Sequence, residues 1–171
     1  PGKGDVEPRP AYVFATNDQE AKQLEEETRA AQSLGLPAEL VREARLPLTT
    51  TALLRFSGQY QFNPYLYLTG LAQAIASNVP IFENSRVESV EYATPSRLTV
   101  NGRTLRATYV VIATHMPVAG DGLYFTRAFP FAHPVAAAPL PDGVAIDGMF
   151  ISAGTPTRSL RTARKGGRTF L

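Results

Sequence analysis

The chain has no cysteine and only two histidines in 171 residues. Without cysteine there is no disulfide framework, no zinc–thiolate site and no cysteine nucleophile. The same absence is compatible with a reducing cytoplasm, which is the expected location. His115 and His133 sit in unrelated sequence contexts, so a catalytic triad or a histidine-rich metal site is poorly supported, and no metal is expected. Charge of one sign is also scarce. The formal net charge is +2, which gives no strong field for nucleic acid or acidic membranes, and neither is expected as a partner. No apolar run approaches a membrane span and no signal-peptide pattern opens the chain. Signatures of common chemistries are missing too. There is no glycine fingerprint between a strand and a helix, no Gly-x-Ser-x-Gly elbow, no His-Glu-x-x-His pair and no EF-hand spacing. Pro1-Gly2-Lys3-Gly4 follows no strand, so it does not qualify as a phosphate-binding loop.

What is present is a globular composition, 44% hydrophobic and 19% charged, with length for one ordinary core. The most informative stretch runs from Asn63 to Thr114. Asn63 is a good N-cap and Pro64 suits the first helical position. Tyr65, Leu66, Leu68, Leu71, Ala72, Ile75 and Ala76 leave the helix almost no polar face, which predicts burial on both sides. Asn78 would end it in a left-handed turn, and Val79-Pro80-Ile81-Phe82 reads as a short strand. Val87 to Tyr92 and Leu98 to Val100 read as ribbon strands, with a hairpin turn at Asn101-Gly102 where both central residues need positive φ. Tyr109-Val110-Val111-Ile112-Ala113 is a continuous apolar run, as in a strand covered on both faces of a parallel sheet.

The flanks read more simply. Residues 1 to 9 look like a loose leader, and Ala11 to Ala15 a strand. Asn17 with Glu20 forms a capping box for a helix whose inner face is Ala21, Leu24, Thr28 and Ala31. Glu25-Glu26-Glu27 is a solvated face, with Lys22–Glu26 and Glu25–Arg29 pairs expected. Gly35 stops that helix. Ala38 to Ala44 reads as a second short helix, and Ala52 to Phe56 as a strand. After Thr114, His115-Met116-Pro117 breaks the strand. Turns at Gly120-Asp121-Gly122, Pro141-Asp142-Gly143 and Asp147-Gly148 are spaced for an antiparallel sheet. These aspartates are best explained as turn formers. Met149 to Ile151 is a strand, and Ser159 to Leu171 reads as two strands around Lys165-Gly166-Gly167. Read from the residues alone, this is an α/β (α+β) chain whose chemistry stays open.

A resemblance narrows it. Gln61-Phe62-Asn63-Pro64-x-x-Tyr67-Leu68-x-Gly70-Leu71-Ala72 is followed by Ile81-Phe82-Glu83-x-x-x-Val87-x-x-Val90. A hairpin, Ala107-x-x-Val110-Val111-Ile112-Ala113-Thr114 and Thr157-Arg158-Ser159-Leu160-Arg161 come next. This order resembles the glycine oxidase/D-amino-acid oxidase (DAO) superfamily of FAD-dependent oxidoreductases, from about Tyr12 to the C-terminus. The resemblance implies a mixed β-sheet substrate domain interleaved with part of an FAD-binding, Rossmann-like domain. Residues 63–115 would belong to the FAD domain, and 10–62 and 116–171 to the substrate domain. It also implies that the chain is a piece of a longer protein, without the N-terminal glycine fingerprint and the C-terminal segment. Alone it is then expected neither to hold FAD tightly nor to turn over.

Site residues follow from the same resemblance. The strand holding Val87 would lend backbone groups to the adenine, and the turn at Ala113-Thr114 would pass close to the cofactor. The family often has glycine next, where this chain has His115. Amino-acid oxidases of the family hold the substrate carboxylate with an arginine. Arg164 is the first candidate and Arg161 the second, with Tyr60 reaching the pocket. No catalytic residue is assigned. Solvated arginines on a surface strand and a core tyrosine would give the same pattern. The implied function is oxidation of an amine or amino acid by hydride transfer to FAD. A different class stays open: a stand-alone binding module using Arg158, Arg161, Arg164 and Arg168, although Gly166-Gly167 argues against a helix there. A subunit-contact domain, visible as an oligomer, is a third.

Overall fold

The computed structural model describes residues 6–116 and 126–171. The chain divides into two units, residues 1–74 with 136–171 and residues 75–135. The Gly120-Asp121-Gly122 turn lies outside the described residues.

The first unit is built on a five-stranded mixed sheet. Its strands are β2 (Ala11–Ala15), β3 (Ala38–Val41), β4 (Ala52–Phe56), β9 (Met149–Ser152) and β10 (Ser159–Leu160), in the order β10-β9-β2-β4-β3. β2 and β4 are antiparallel, with Val13 opposite Leu54 and Phe14 opposite Leu53. Turn spacing suggests antiparallel pairing for Met149 to Ile151, but β9 runs parallel to β2, with Tyr12 beside Phe150. The parallel neighbour is reached by a long crossover, which local turn signals cannot register.

Successive side chains of a strand point to opposite faces, and β4 uses this to serve two cores. Leu54 joins Ala15, Ala52 and Ala38 under the helix α1 (Asp18–Ser33), which contributes Ala21, Leu24 and Ala31. Leu53 lies on the other face with Phe14, Ile146 and Phe150. There Tyr12 stacks on Phe150 with ring centroids 4.7 Å apart. Both leucines are fully buried, each contributing about 1.5–3 kcal/mol.

The caps of α1 form as expected. Asn17 Oδ1 accepts the Glu20 N–H at 3.0 Å. Glu20 reaches one residue further back than a standard capping box, taking the Thr16 N–H at 2.7 Å and the Thr16 hydroxyl at 3.1 Å. At the other end Leu36 N–H reaches Ala31 O and Gly35 N–H reaches Gln32 O. With Gly35 at φ +73 this is a Schellman ending. The expected Lys22–Glu26 and Glu25–Arg29 ion pairs are not among the ion pairs of the described residues; Arg29 Nε donates to the Glu25 carbonyl instead. An exposed pair is worth a few tenths of a kcal/mol, too little to hold two long side chains.

Other expectations are corrected. Ala38 to Ala44 is not a helix: Ala38–Val41 is the edge strand β3, paired along β4. A short apolar run does not separate the two by periodicity, and here the open edge of β4 decides. The presumed leader contains β1 (Val6–Pro8), paired with β5 (Tyr60–Phe62), and Arg9 N–H donates to Gln59 O. The tail holds β11 (Ala163–Lys165) and β12 (Arg168–Phe170), turned at Gly166 and Gly167, both with positive φ.

The helix α2 (Pro64–Ile75) starts as expected, Asn63 Oδ1 accepting the Tyr65 and Leu66 N–H groups at 3.0 and 3.2 Å. Its burial is the largest correction: no residue of α2 is buried, and Tyr65 and Leu68 are 73% and 60% exposed. Apolar periodicity reports that a surface seeks cover, not that the described residues provide it. Asn78 does not take the left-handed conformation; Asn78 and Val79 N–H groups close on Ile75 O instead.

The second unit contains a meander, β6 (Val87–Glu91), β7 (Ser96–Val100) and β8 (Arg103–Ala107), in that order. Asn101 (φ +46) and Gly102 (φ +72) form the predicted turn between β7 and β8. Neither Val79 to Phe82 nor Tyr109 to Ala113 is a strand. Tyr109 and Val111 are nearly 90% exposed, and no strand of the described residues pairs with them.

Two outcomes test this. Leu54→Ala should cost roughly 2–5 kcal/mol in denaturant unfolding. Combined with Leu24→Ala it should be non-additive, because the two share one cluster, whereas Leu24→Ala with Leu53→Ala should add. The second concerns Glu20, whose carboxyl is held below its ordinary value of 4.5 chiefly by the Thr16 backbone N–H, against desolvation, with help from the Thr16 hydroxyl and Asn17. Stability from a depressed carboxyl is present above the unfolded value and is lost as pH falls through the folded one. Glu20→Gln should therefore flatten the acid limb of a stability–pH curve from about 4.5 downward and leave neutral-pH folding two-state.

Candidate functional site

The residues implicated at the cofactor lie on the meander and the segment after it. Val87 opens β6 and is 46% exposed. It pairs with Val100, yet the next pair is Ser89 with Thr99, so the register shifts at Glu88. A bulge leaves the extra residue unpaired in register and disrupts the ladder locally. The approach to this bulge is clamped by Asn101. Its Oδ1 accepts the Arg86 N–H at 3.2 Å and its Nδ2 donates to the Asn84 carbonyl at 2.9 Å. The turn asparagine thus serves both the hairpin and the start of β6, a double role that Asn-Gly alone does not reveal.

Ala113 and Thr114 precede His115, and the Thr114 hydroxyl donates to the Met116 carbonyl at 2.6 Å. His115 adopts φ +64. This is the left-handed conformation that favours glycine and costs other residues about 1–2 kcal/mol. The residue standing where the family often has glycine thus takes a backbone conformation that glycine favours.

The residues implicated at the substrate lie in the first unit, and Arg164 enters a cleft with other charged groups. Arg164, on β11, lines a cleft of about 300 Å³ with Glu7, Arg9, Arg45, Asp147 and Thr162. Arg9 Nη1 donates to Asp147 Oδ1 at 2.9 Å, and Arg9 Nη2 lies 3.4 Å from Glu7 Oε2. Gln61 Nε2 donates to the same Glu7 oxygen at 3.0 Å and to the Thr162 carbonyl at 3.3 Å. Arg161 and Tyr60 do not line this cleft. Tyr60 precedes Gln61 on β5, so strand alternation turns its ring to the opposite face, and it is 62% exposed. Arg9, Arg45 and Asp147 carried no sequence signal: one sat in the presumed leader, one in a loop, and one beside a turn glycine. Among the described residues no three histidines or acids gather as a metal site, and no helix is long and apolar enough to cross a membrane.

This arrangement of mixed sheet, capped helix and meander has known counterparts. It matches glycine oxidase from Geobacillus kaustophilus with a TM-score of 0.67 at 16% identity, covering 97% of this chain and 47% of that one. The class is therefore a glycine oxidase-like fold. The family model for FAD-dependent oxidoreductases (DAO) matches residues 3–163, and the chain belongs to that family. A relative from Bacillus subtilis (strain 168), named as the Rieske 2Fe-2S iron-sulfur protein YhfW, is 25% identical over 154 residues. The match takes in 88% of this chain and 30% of the relative. The chain thus spans less than a third of that relative and about half of the glycine oxidase.

His115→Gly should raise stability by about 1 kcal/mol, since it removes the cost of a side chain in the left-handed region. His115→Val should lower it by more than that, because a β-branched residue tolerates this region worst. Denaturant midpoints of the two variants check both directions.

Proposed function

We propose that the whole protein oxidises an amine or amino acid by hydride transfer to FAD. The observation that supports this best is the family match across residues 3–163. When bound, the flavin supplies the hydride acceptor; the protein supplies binding, orientation and electrostatics. The residues present suit part of that cofactor. The ladder is interrupted between Val87 and Ser89, on the strand expected to meet the adenine edge. The left-handed turn at Thr114–His115 bends the backbone as a close approach requires. No glycine fingerprint for the pyrophosphate occurs in the sequence. On this reading residues 63–115 belong to the FAD domain and 10–62 with 116–171 to the substrate domain. The bare apolar surface of α2 is then covered by the remainder of the FAD domain. Arg164 is the residue assigned to the substrate carboxylate, with Arg161 and Tyr60 as secondary candidates.

The relative named for a Rieske centre favours a second reading of the electron acceptor, an iron–sulfur cluster in place of oxygen. A Rieske cluster takes two cysteines and two histidines. This chain has no cysteine, so such ligands would lie outside it. A competing reading, a stand-alone binding module with an arginine-rich C-terminal surface, would show salt-dependent retention on an anionic matrix.

The test compares two proteins. The 171-residue chain mixed with FAD should give no stoichiometric yellow complex. A longer protein, including whatever coding sequence lies upstream of Pro1, should carry a strand-Gly-x-Gly-x-x-Gly-helix unit and hold one flavin. An amine or amino acid should bleach that flavin under anaerobic conditions. A longer protein that holds no flavin, or whose flavin no amine reduces, overturns the reading.

A further inference from the structure

We infer that the cleft holding Arg45 and Arg164 binds a compact oxyanion carrying two negative charges, a dicarboxylate or a phosphate. The inference deepens the substrate reading, since it gives Arg164 a partner and the ligand a second charge.

The argument is one of unequal pairing. Three arginines line the cleft, but they are not equivalent. Arg9 is held by Asp147 and Glu7, and its side chain is only 23% exposed. Glu7 is further engaged by Gln61. Both carboxylates of the cleft are therefore committed to Arg9. Arg45 and Arg164 have no hydrogen-bonding or ion-pair partner for their guanidinium groups among the described residues. Their backbones are nevertheless anchored. The Arg45 carbonyl accepts the Asp147 N–H at 3.4 Å, and Arg164 pairs with Thr169 across the β11–β12 hairpin. Thr162, 8% exposed, lines the same cleft, and its hydroxyl has no hydrogen-bonding partner among the described residues.

Arg45 and Arg164 are both exposed at the cleft and carry like charge, and an oxyanion between them would attract both. Each guanidinium presents a planar fork that fits one pair of oxygens. A monocarboxylate satisfies one fork. A dicarboxylate or a tetrahedral phosphate satisfies both, with the Thr162 hydroxyl as a further donor. At about 300 Å³ the cleft suits a small ion and not a dinucleotide. Because it opens to solvent, the attraction is screened and binding must weaken with salt.

The experiment is calorimetric titration of the 171-residue chain with inorganic phosphate, succinate and acetate at low and moderate salt. Either phosphate or succinate should bind saturably, about tenfold or more tighter than acetate. Preference for succinate identifies the dicarboxylate source, and preference for phosphate the other. Arg45→Met and Arg164→Met should each weaken the preferred ion by about tenfold or more, with unfolding midpoints unchanged. Arg106→Met, at an exposed arginine of the meander that also lacks a carboxylate partner, should bind like the wild type. Absence of saturable binding by both ions, or an Arg45→Met chain that binds as the wild type does, overturns the inference. No flavin enters this titration. Failure of a longer protein to hold FAD leaves its result standing, and failure here leaves the flavin reading standing.

Discussion

The first unit depends on the two consecutive leucines of β4. Because adjacent residues of a strand face opposite ways, Leu53 and Leu54 commit one strand to two separate cores. That requirement fixes the register of β4 against β2 and β3, since a slip of one residue would exchange the two faces. It also fixes where α1 lies, on the face of Leu54, and leaves the opposite face to Phe14, Phe150 and Ile146. The parallel pairing of β9 with β2 follows, since it brings Phe150 beside Tyr12 in register for stacking. The charged cleft is a consequence. Asp147 ends the segment that delivers Ile146 to the core and Met149 to the sheet, and it meets Arg9 just before β2 begins.

The second unit is organised by a polar side chain. Asn101 takes positive φ at a hairpin turn and spends both ends of its amide on residues 84–86. A short meander with little buried apolar surface gains its definition from such bonds, each worth about 1 kcal/mol net. The bulge after Val87 sits just beyond this clamp. The clamp fixes the place where the ladder shifts register.

Much of this was legible because local chemistry determined it. The Asn17 and Asn63 caps, the Gly35 stop, the Asn101-Gly102 turn and the inner face of α1 all depend on residues within a turn or two of one another. What the sequence did not convey depends on distant partners. Ala38 to Val41 is a strand because β4 has an open edge, and Arg9 matters because Asp147, far along the chain, comes beside it. Arg164 could be nominated from resemblance, whereas Arg45 could not, since a loop arginine is ordinary until its neighbours are known. The apolar runs misled in a different way. Tyr65 to Ile75 and Tyr109 to Ala113 have the composition of covered elements, but composition describes a demand for burial and not its supply.

That unmet demand carries weight for function. Monomeric proteins expose single apolar side chains freely, but contiguous apolar surfaces mark places where something docks. Here Tyr65, Leu66, Tyr67, Leu68 and Leu71 are all exposed along one helix. The helix is capped and regular, so its shape does not wait on a partner. On the proposed reading, this uncovered greasy surface of a capped helix, in a chain that matches about half of a glycine oxidase, is where the rest of the flavin domain would dock. The contrast with the cleft is instructive. Apolar α2 invites burial without selecting a chemistry, while two unpaired guanidinium groups select charge and geometry at once. On the proposed readings, docking of the rest of a fold and binding of a small ion would rest on different physics at different places in one chain.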